Sequence, residues 1–284
     1  MRIRRSADIA RRLAAHGLSE SIRRINERQH QFHIEFGSPP GCADEPRGWR
    51  GCADLLADPN HFIGWRKTLA EWLHGQYGTA PDRTTAGYVQ TWYLQAPAFI
   101  GALLFHHERR VPSLRPEHIA FRIAIHDRPH LDGLALAATE FACLPGDPAA
   151  GAPEATVVES EHALAGLLRA RYAAHAARFV RAYGPTVRFG RHTLWAAATD
   201  SLDVALWRAG SYLGDEGGGV ADAALVLPDT IEPFTSASTL RSACDEHGNP
   251  TWTRRKESCC FHYLLTQGDS ECATCPRRSP RHAR

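Results

Sequence analysis

Apolar residues recur at helical intervals in several long stretches of the chain. Between positions 6 and 36, Ile9, Leu13, Leu18, Ile22, Ile25 and Phe32 fall three to seven apart among charged positions, which predicts an amphipathic helix. Pro39, Pro40, Pro46 and several glycines predict loop over 37–51, and a helix restarts near Pro59 and carries Trp65, Leu69 and Trp72. After a further loop at 77–84, the apolar run Ala86 to His107 continues helically. The period then changes to two. Ile119, Phe121, Ile123 and Ile125 alternate with smaller or polar residues, which predicts a strand over 117–126. Leu131 to Ala138 pairs with it across the turn signal Asp127-Arg128-Pro129. A loop at 146–153 leads to a short strand at Ala155 to Val158. A helix from Glu161 to Tyr183 places Leu164, Leu167, Leu168, Tyr172 and Phe179 on one face, and Gly184-Pro185 stops it. One more helix holds Leu194 to Ala209. The expected fold is α+β: a mainly helical body over 1–245 with a small antiparallel sheet, followed by a C-terminal cysteine-rich segment over 246–284.

The window from Ala86 to Phe105 is long enough to span a bilayer. Gln90, Thr91 and Gln95 are polar, and Pro97 should break its middle, so it reads as a buried core helix. The basic N-terminus has no apolar stretch behind it, because Asp8, Arg11, Arg12 and His16 interrupt the run. The expectation is therefore a soluble cytoplasmic protein, with peripheral membrane contact left open. The 33 basic and 31 acidic residues nearly cancel, which argues against nucleic acid as a partner.

In a reducing compartment, clustered cysteines point to metal rather than to disulfides. Cys259 and Cys260 are adjacent, eleven residues separate Cys260 from Cys272, and two separate Cys272 from Cys275. A Cys-x-x-Cys pair grips soft metals in general. Adjacent cysteines diverge in direction, which suits the separated attachment points of a two-iron cluster better than one tetrahedral zinc. A zinc module whose basic tail contacts a partner is the alternative. That tail is basic: from Arg254 onward seven Lys or Arg face three acids. A cycling dithiol fits less well, because no thioredoxin-like βαβ pattern surrounds the pair. Cys42, Cys52, Cys143 and Cys244 read as structural or incidental. His162, His175 and His192 lie on helical segments and are not assigned to metal. Gly214 to Gly219 lacks the preceding strand and the spacing of a phosphate-binding loop and is expected to be a flexible interhelical connection.

The run Arg-Arg-Lys-Glu-Ser-Cys-Cys-Phe-His-Tyr from Arg254, followed by Glu-Cys-Ala-Thr-Cys-Pro from Glu271, resembles the C-terminal signature of FhuF-like ferric-siderophore reductases. The resemblance implies that Cys259, Cys260, Cys272 and Cys275 ligate a [2Fe–2S] cluster. The gap between the pairs is one residue longer than the family spacing, and Gly268 can absorb the extra residue. A weaker likeness covers Arg191-His192-Thr193-Leu194-Trp195, where Arg191 and Trp195 become candidates for lining a ligand site, although a Trp opening an apolar helix is more often core. The implied activity is one-electron reduction of siderophore-bound ferric iron, with a ferric siderophore as substrate. Arg254, Arg255 and Lys256 are candidates for a basic rim that attracts it, or for a solvated tail. No nicotinamide or flavin fingerprint is visible, so the electrons are expected from a separate donor, a ferredoxin or a reductase.

Overall fold

A computed structural model describes residues 17–37, 48–124, 130–245, 247–265 and 274–277. The helices are α1 (Leu18–Arg28), α2 (Cys52–Ala57), α3 (Asn60–Tyr77), α4 (Asp82–Glu108), α5 (Glu161–Tyr183), α6 (Arg191–Tyr212) and α7 (Glu216–Val226). The strands are β1 (His33–Phe36), β2 (Trp49–Gly51), β3 (Arg110–Pro112), β4 (Ile119–Ala124), β5 (His130–Leu136), β6 (Phe141–Cys143), β7 (Ala155–Val157), β8 (Arg241–Cys244) and β9 (Pro250–Thr253). The α+β class and its helical bias match the expectation.

The core is organised around α4, which is buried on nearly every side from Thr84 to Phe105. It packs against α6, whose interior from Leu194 to Gly210 is almost as fully enclosed. Small residues, among them Ala96, Ala98 and Ala102 on α4 and Ala197, Ala198 and Ala205 on α6, are buried on the two helices. No helix among the described residues is long and apolar enough to cross a membrane. Pro97, expected to break α4, does not. Proline removes one backbone bond, to the carbonyl four residues earlier, and tertiary packing compensates. The Tyr172 hydroxyl of α5 lies 3.3 Å from the Leu94 carbonyl on α4 and 3.1 Å from the Ala198 carbonyl on α6, bridging the two central helices beside the proline.

The helix expected over 6–36 is shorter than its apolar period suggests: α1 ends at Arg28, and residues 6–16 lie outside the described set. The Gln29 side chain accepts from the Gln31 amide and donates to the Phe32 carbonyl, turning the chain into β1. Part of the expected 37–51 loop is strand β2. The predicted hairpin exists as β4 and β5, antiparallel with a register shift at Arg122/Ile123, while its turn, 125–129, lies outside the described residues. The sheet is mixed rather than antiparallel. Its order is β1-β5-β4-β2, and β1 joins β5 in parallel. A local period-two reading cannot see a strand recruited from so far along the chain.

Gly214–Gly219 is a further correction. Asp215 caps α7 by accepting the Gly218 amide at 3.0 Å, so Gly217 to Gly219 are helical. These glycines serve packing. A Cβ on Gly210 would stand 2.3 Å from the Asp215 carbonyl oxygen and 2.6 Å from the Gly219 nitrogen, and one on Gly219 would meet the Leu206 carbonyl oxygen at 2.7 Å. α6 and α7 therefore touch backbone to backbone. Gly210→Ala is expected to destabilise the fold by about 2–3 kcal/mol through overpacking. Gly75→Ala, in α3 with nothing within 4 Å of the added methyl, should instead stabilise it by about 0.5–1 kcal/mol. Urea melts of the two variants check both signs.

His175 is a buried core histidine. Its Nδ1 lies 2.6 Å from the Leu114 carbonyl and its Nε2 3.1 Å from the Tyr93 hydroxyl. Burial lowers its pKa to about 4, although the bond to the Leu114 carbonyl opposes the shift. Between its unfolded value and about 4, the unfolded chain binds a proton that the folded chain refuses. Stability from this site is complete above about pH 6.5 and falls as the pH drops toward 4. At pH 5 the loss should be about 2 kcal/mol relative to pH 7. Urea melts at the two pH values should show that loss reduced in His175→Gln.

Candidate metal centre

The described part of the cysteine-rich segment lies across α4 and α6. Four contacts fix it to the first turns of α4. The Thr84 hydroxyl donates to the Phe261 carbonyl at 2.9 Å, and the Tyr88 hydroxyl lies 2.6 Å from His262 Nδ1. The Tyr88 and His262 rings also stack, 6.3 Å apart and 11° from parallel. Gly87 permits the approach: a Cβ there would be 3.1 Å from the Cys260 carbonyl oxygen. Phe261 adopts a left-handed conformation, φ +56°, which costs a non-glycine residue about 1–2 kcal/mol. Stacking of its ring on Phe189 at 5.4 Å, with Arg83 over the ring, holds it there.

α6 supplies the second anchor. Asp200, buried, accepts from the Glu257 amide at 3.0 Å, from the Ser258 amide at 2.7 Å and from the Ser258 hydroxyl at 2.5 Å. Arg254 is also buried; its guanidinium donates to the Asp200 carbonyl at 2.8 Å and lies 3.7 Å from the Asp200 carboxylate and 3.9 Å from Asp203. Asp203 accepts in addition from Ser238 and Thr239, and burial pushes its pKa up against the lowering influence of Ser238, Arg254 and Thr239. Arg254 therefore does not belong to a basic rim. It is a structural tie, whereas Arg255 is exposed and Lys256 half-buried.

Of the four cysteines, Cys259 and Cys260 are half-buried and Cys275 is buried, while Cys272 lies outside the described residues. The Lys256 amide donates to the Thr274 carbonyl at 3.1 Å, which draws the stretch carrying Cys275 alongside the approach to Cys259. The Cys259 sulfur accepts the Phe261 amide at 3.4 Å, the kind of N–H···S contact that tunes a cluster potential. Among the described residues, no three His, Cys, Asp or Glu side chains converge on a single ion. Partly buried thiols, one already accepting an amide, fit an iron–sulfur cluster, whose sulfur ligands need not meet at one metal.

The other expected site residues lie elsewhere. Trp195 is buried and meets Phe234 edge-on at 6.1 Å. It lines a separate cavity with Arg191, about 300 Å³, that no described cysteine reaches. Cys52 and Cys143 are core residues, Cys244 is exposed, and Cys42 lies outside the described residues. Asp200, Asp203, Thr84, Gly87 and Tyr88 are absent from the sequence reading. The two aspartates had a signal: they are the only acids in the mainly apolar run Leu194 to Ala209, and buried carboxylates need partners.

A helical α+β body thus carries a thiol-bearing segment clamped onto its two central helices. Residues 257–277 match the family model described as the FhuF 2Fe-2S C-terminal domain. The match points to a [2Fe–2S] cluster rather than zinc, and with it to a redox role. No curated protein matches the chain. Asp200→Ala should leave the part-buried Glu257 and Ser258 amides without their acceptor and Arg254 half-compensated, destabilising the fold by about 2–4 kcal/mol. Limited proteolysis should show cleavage between 254 and 265 accelerated far more than in the Asp229→Ala control, a change at an exposed site.

Proposed function

We propose that the protein is a ferric-siderophore reductase of the cytoplasm, in which Cys259, Cys260, Cys272 and Cys275 hold the [2Fe–2S] cluster. The observation that carries this reading is the family match over 257–277, which coincides with the half-buried thiols beside α4 and α6. When bound, the cluster supplies one electron at a time. The substrate is ferric iron held by hard oxygen donors, which bind ferrous iron much less well, so one electron loosens the complex without any bond cleavage in the chelator. Residues 1–245 form the ligand-binding body and 246–284 the electron-carrying segment.

The chain's own residues do the positioning. Asp200, Thr84 and Tyr88 hold the segment rigid, and rigidity preserves the separation over which the electron must pass. The Phe261 amide stabilises negative charge on the Cys259 sulfur. Arg255 offers exposed positive charge to an anionic chelate or to an acidic donor protein. The donor is a separate ferredoxin or reductase. Cys272→Ser/Cys275→Ser should lose essentially all release of ferrous iron from a ferric siderophore, measured with a ferrous-specific chromogenic chelator under anaerobic conditions. A double variant that releases iron at the wild-type rate would remove the reading.

A further inference from the structure

A cavity of about 460 Å³ lies between α4, α6, β9 and the cysteine segment. That is within the range that takes small-molecule ligands. Cys260 lines it, together with Trp207, Trp252, Arg208, Lys256 and Thr253. A larger cavity of about 540 Å³ beside Arg24, Arg109 and Arg110 has no comparable chemistry, because these guanidiniums are held by Glu108, by Asp222 and Glu161, and by Asp147.

Three features of the smaller cavity select its ligand. The first is a pair of indoles: Trp207 on α6 and Trp252 on β9 line the cavity from separate elements. The β8–β9 hairpin that carries Trp252 is an isolated two-stranded ribbon with mostly exposed residues, and such a ribbon is marginally stable by itself and can adjust around a ligand. The second is charge. Arg208 is exposed, lies 4.8 Å over the Trp207 ring and makes no ion pair among the described residues; Lys256 also borders the cavity but is engaged in an interaction of its own. The carboxylate in the lining, Asp200, is engaged with the Glu257 and Ser258 amides and with Arg254. The third is position: a ligand here sits beside Cys260.

We infer that this cavity binds one arm of a ferric chelate whose oxygen donors are carried on aromatic rings, a catecholate, with the ring against Trp252 and Trp207 and the anionic oxygens toward Arg208. The inference rests on the reductase reading and adds its substrate class and docking residues. Catecholate arms are planar and leave the ferric complex negatively charged, whereas hydroxamate arms are not aromatic and leave it neutral. Indoles and guanidinium reward the first and are indifferent to the second.

The test uses gallium(III) complexes, which mimic the ferric chelates in shape and charge and are not reduced, so that binding is read apart from electron transfer. Titration of the full-length holoprotein, followed by tryptophan fluorescence, should show a linear gallium tris-catecholate binding at least about tenfold more tightly than a gallium tris-hydroxamate. Trp252→Ala and Arg208→Gln should each weaken the catecholate complex by about tenfold while retaining the visible absorption of the wild type. Equal or tighter binding of the hydroxamate overturns the inference, as does unchanged catecholate binding in both variants. Binding of neither complex by a protein that still reduces a ferric hydroxamate overturns the inference and leaves the reductase standing. The expected binding pattern in a protein that reduces no ferric chelate supports the cavity assignment and removes the reductase.

Discussion

One buried carboxylate holds the thiol-bearing segment to the body. Asp200 accepts two backbone amides and a hydroxyl from residues 257 and 258, immediately before the first cysteine pair, while Arg254 returns to its main-chain carbonyl. Hydrogen bonds to an ionised acceptor are roughly twice as strong as neutral ones, and their buried setting makes the alternative, unpaired state costly. The segment's position is set by this polar geometry together with the stacking of Phe261 on Phe189 and of His262 on Tyr88 and the burial of Leu265, and it needs α6 buried and close to α4 at this level.

The small-residue packing of α4 and α6 meets that requirement. Tyr172 bridges their carbonyls at the level of Pro97, and Gly87 opens a place on α4 for the Cys260 main chain. The same tight packing that builds the core leaves one flank of both helices to be covered by the segment and by the β8–β9 hairpin. Between the body and these covers lies the cavity onto which Cys260 opens. Fold, anchor and cavity thus follow in sequence from two buried helices, rich in small residues, that pack against each other.

Much of this was legible before any coordinates. The 3.6-residue period marked α5 and α6 nearly to their ends, and the period-two stretch marked β4 and β5, because these elements bury one face or a whole surface against the core. The cysteine spacing singled out the thiols because soft ligands clustered in a basic tail have few other uses. Several of the misses depended on a distant partner. β1 pairs with β5 about a hundred residues away, and Arg254 looks like surface charge until Asp200 and Asp203 are placed beside it. The Gly-rich stretch at 217–219 reads as flexible because nothing local announces that another backbone occupies the space a side chain would need.

The central claim is that the segment from Glu257 to Arg277 carries a redox-active two-iron centre on this body. The most direct measurement is the visible absorption spectrum of anaerobically purified protein before and after dithionite, with iron and zinc assayed on the same sample. The account predicts a red-brown protein with about two irons per chain, the stoichiometry of a [2Fe–2S] cluster on four thiolates, whose colour bleaches on reduction. A colourless protein with stoichiometric zinc and no response to dithionite would contradict it.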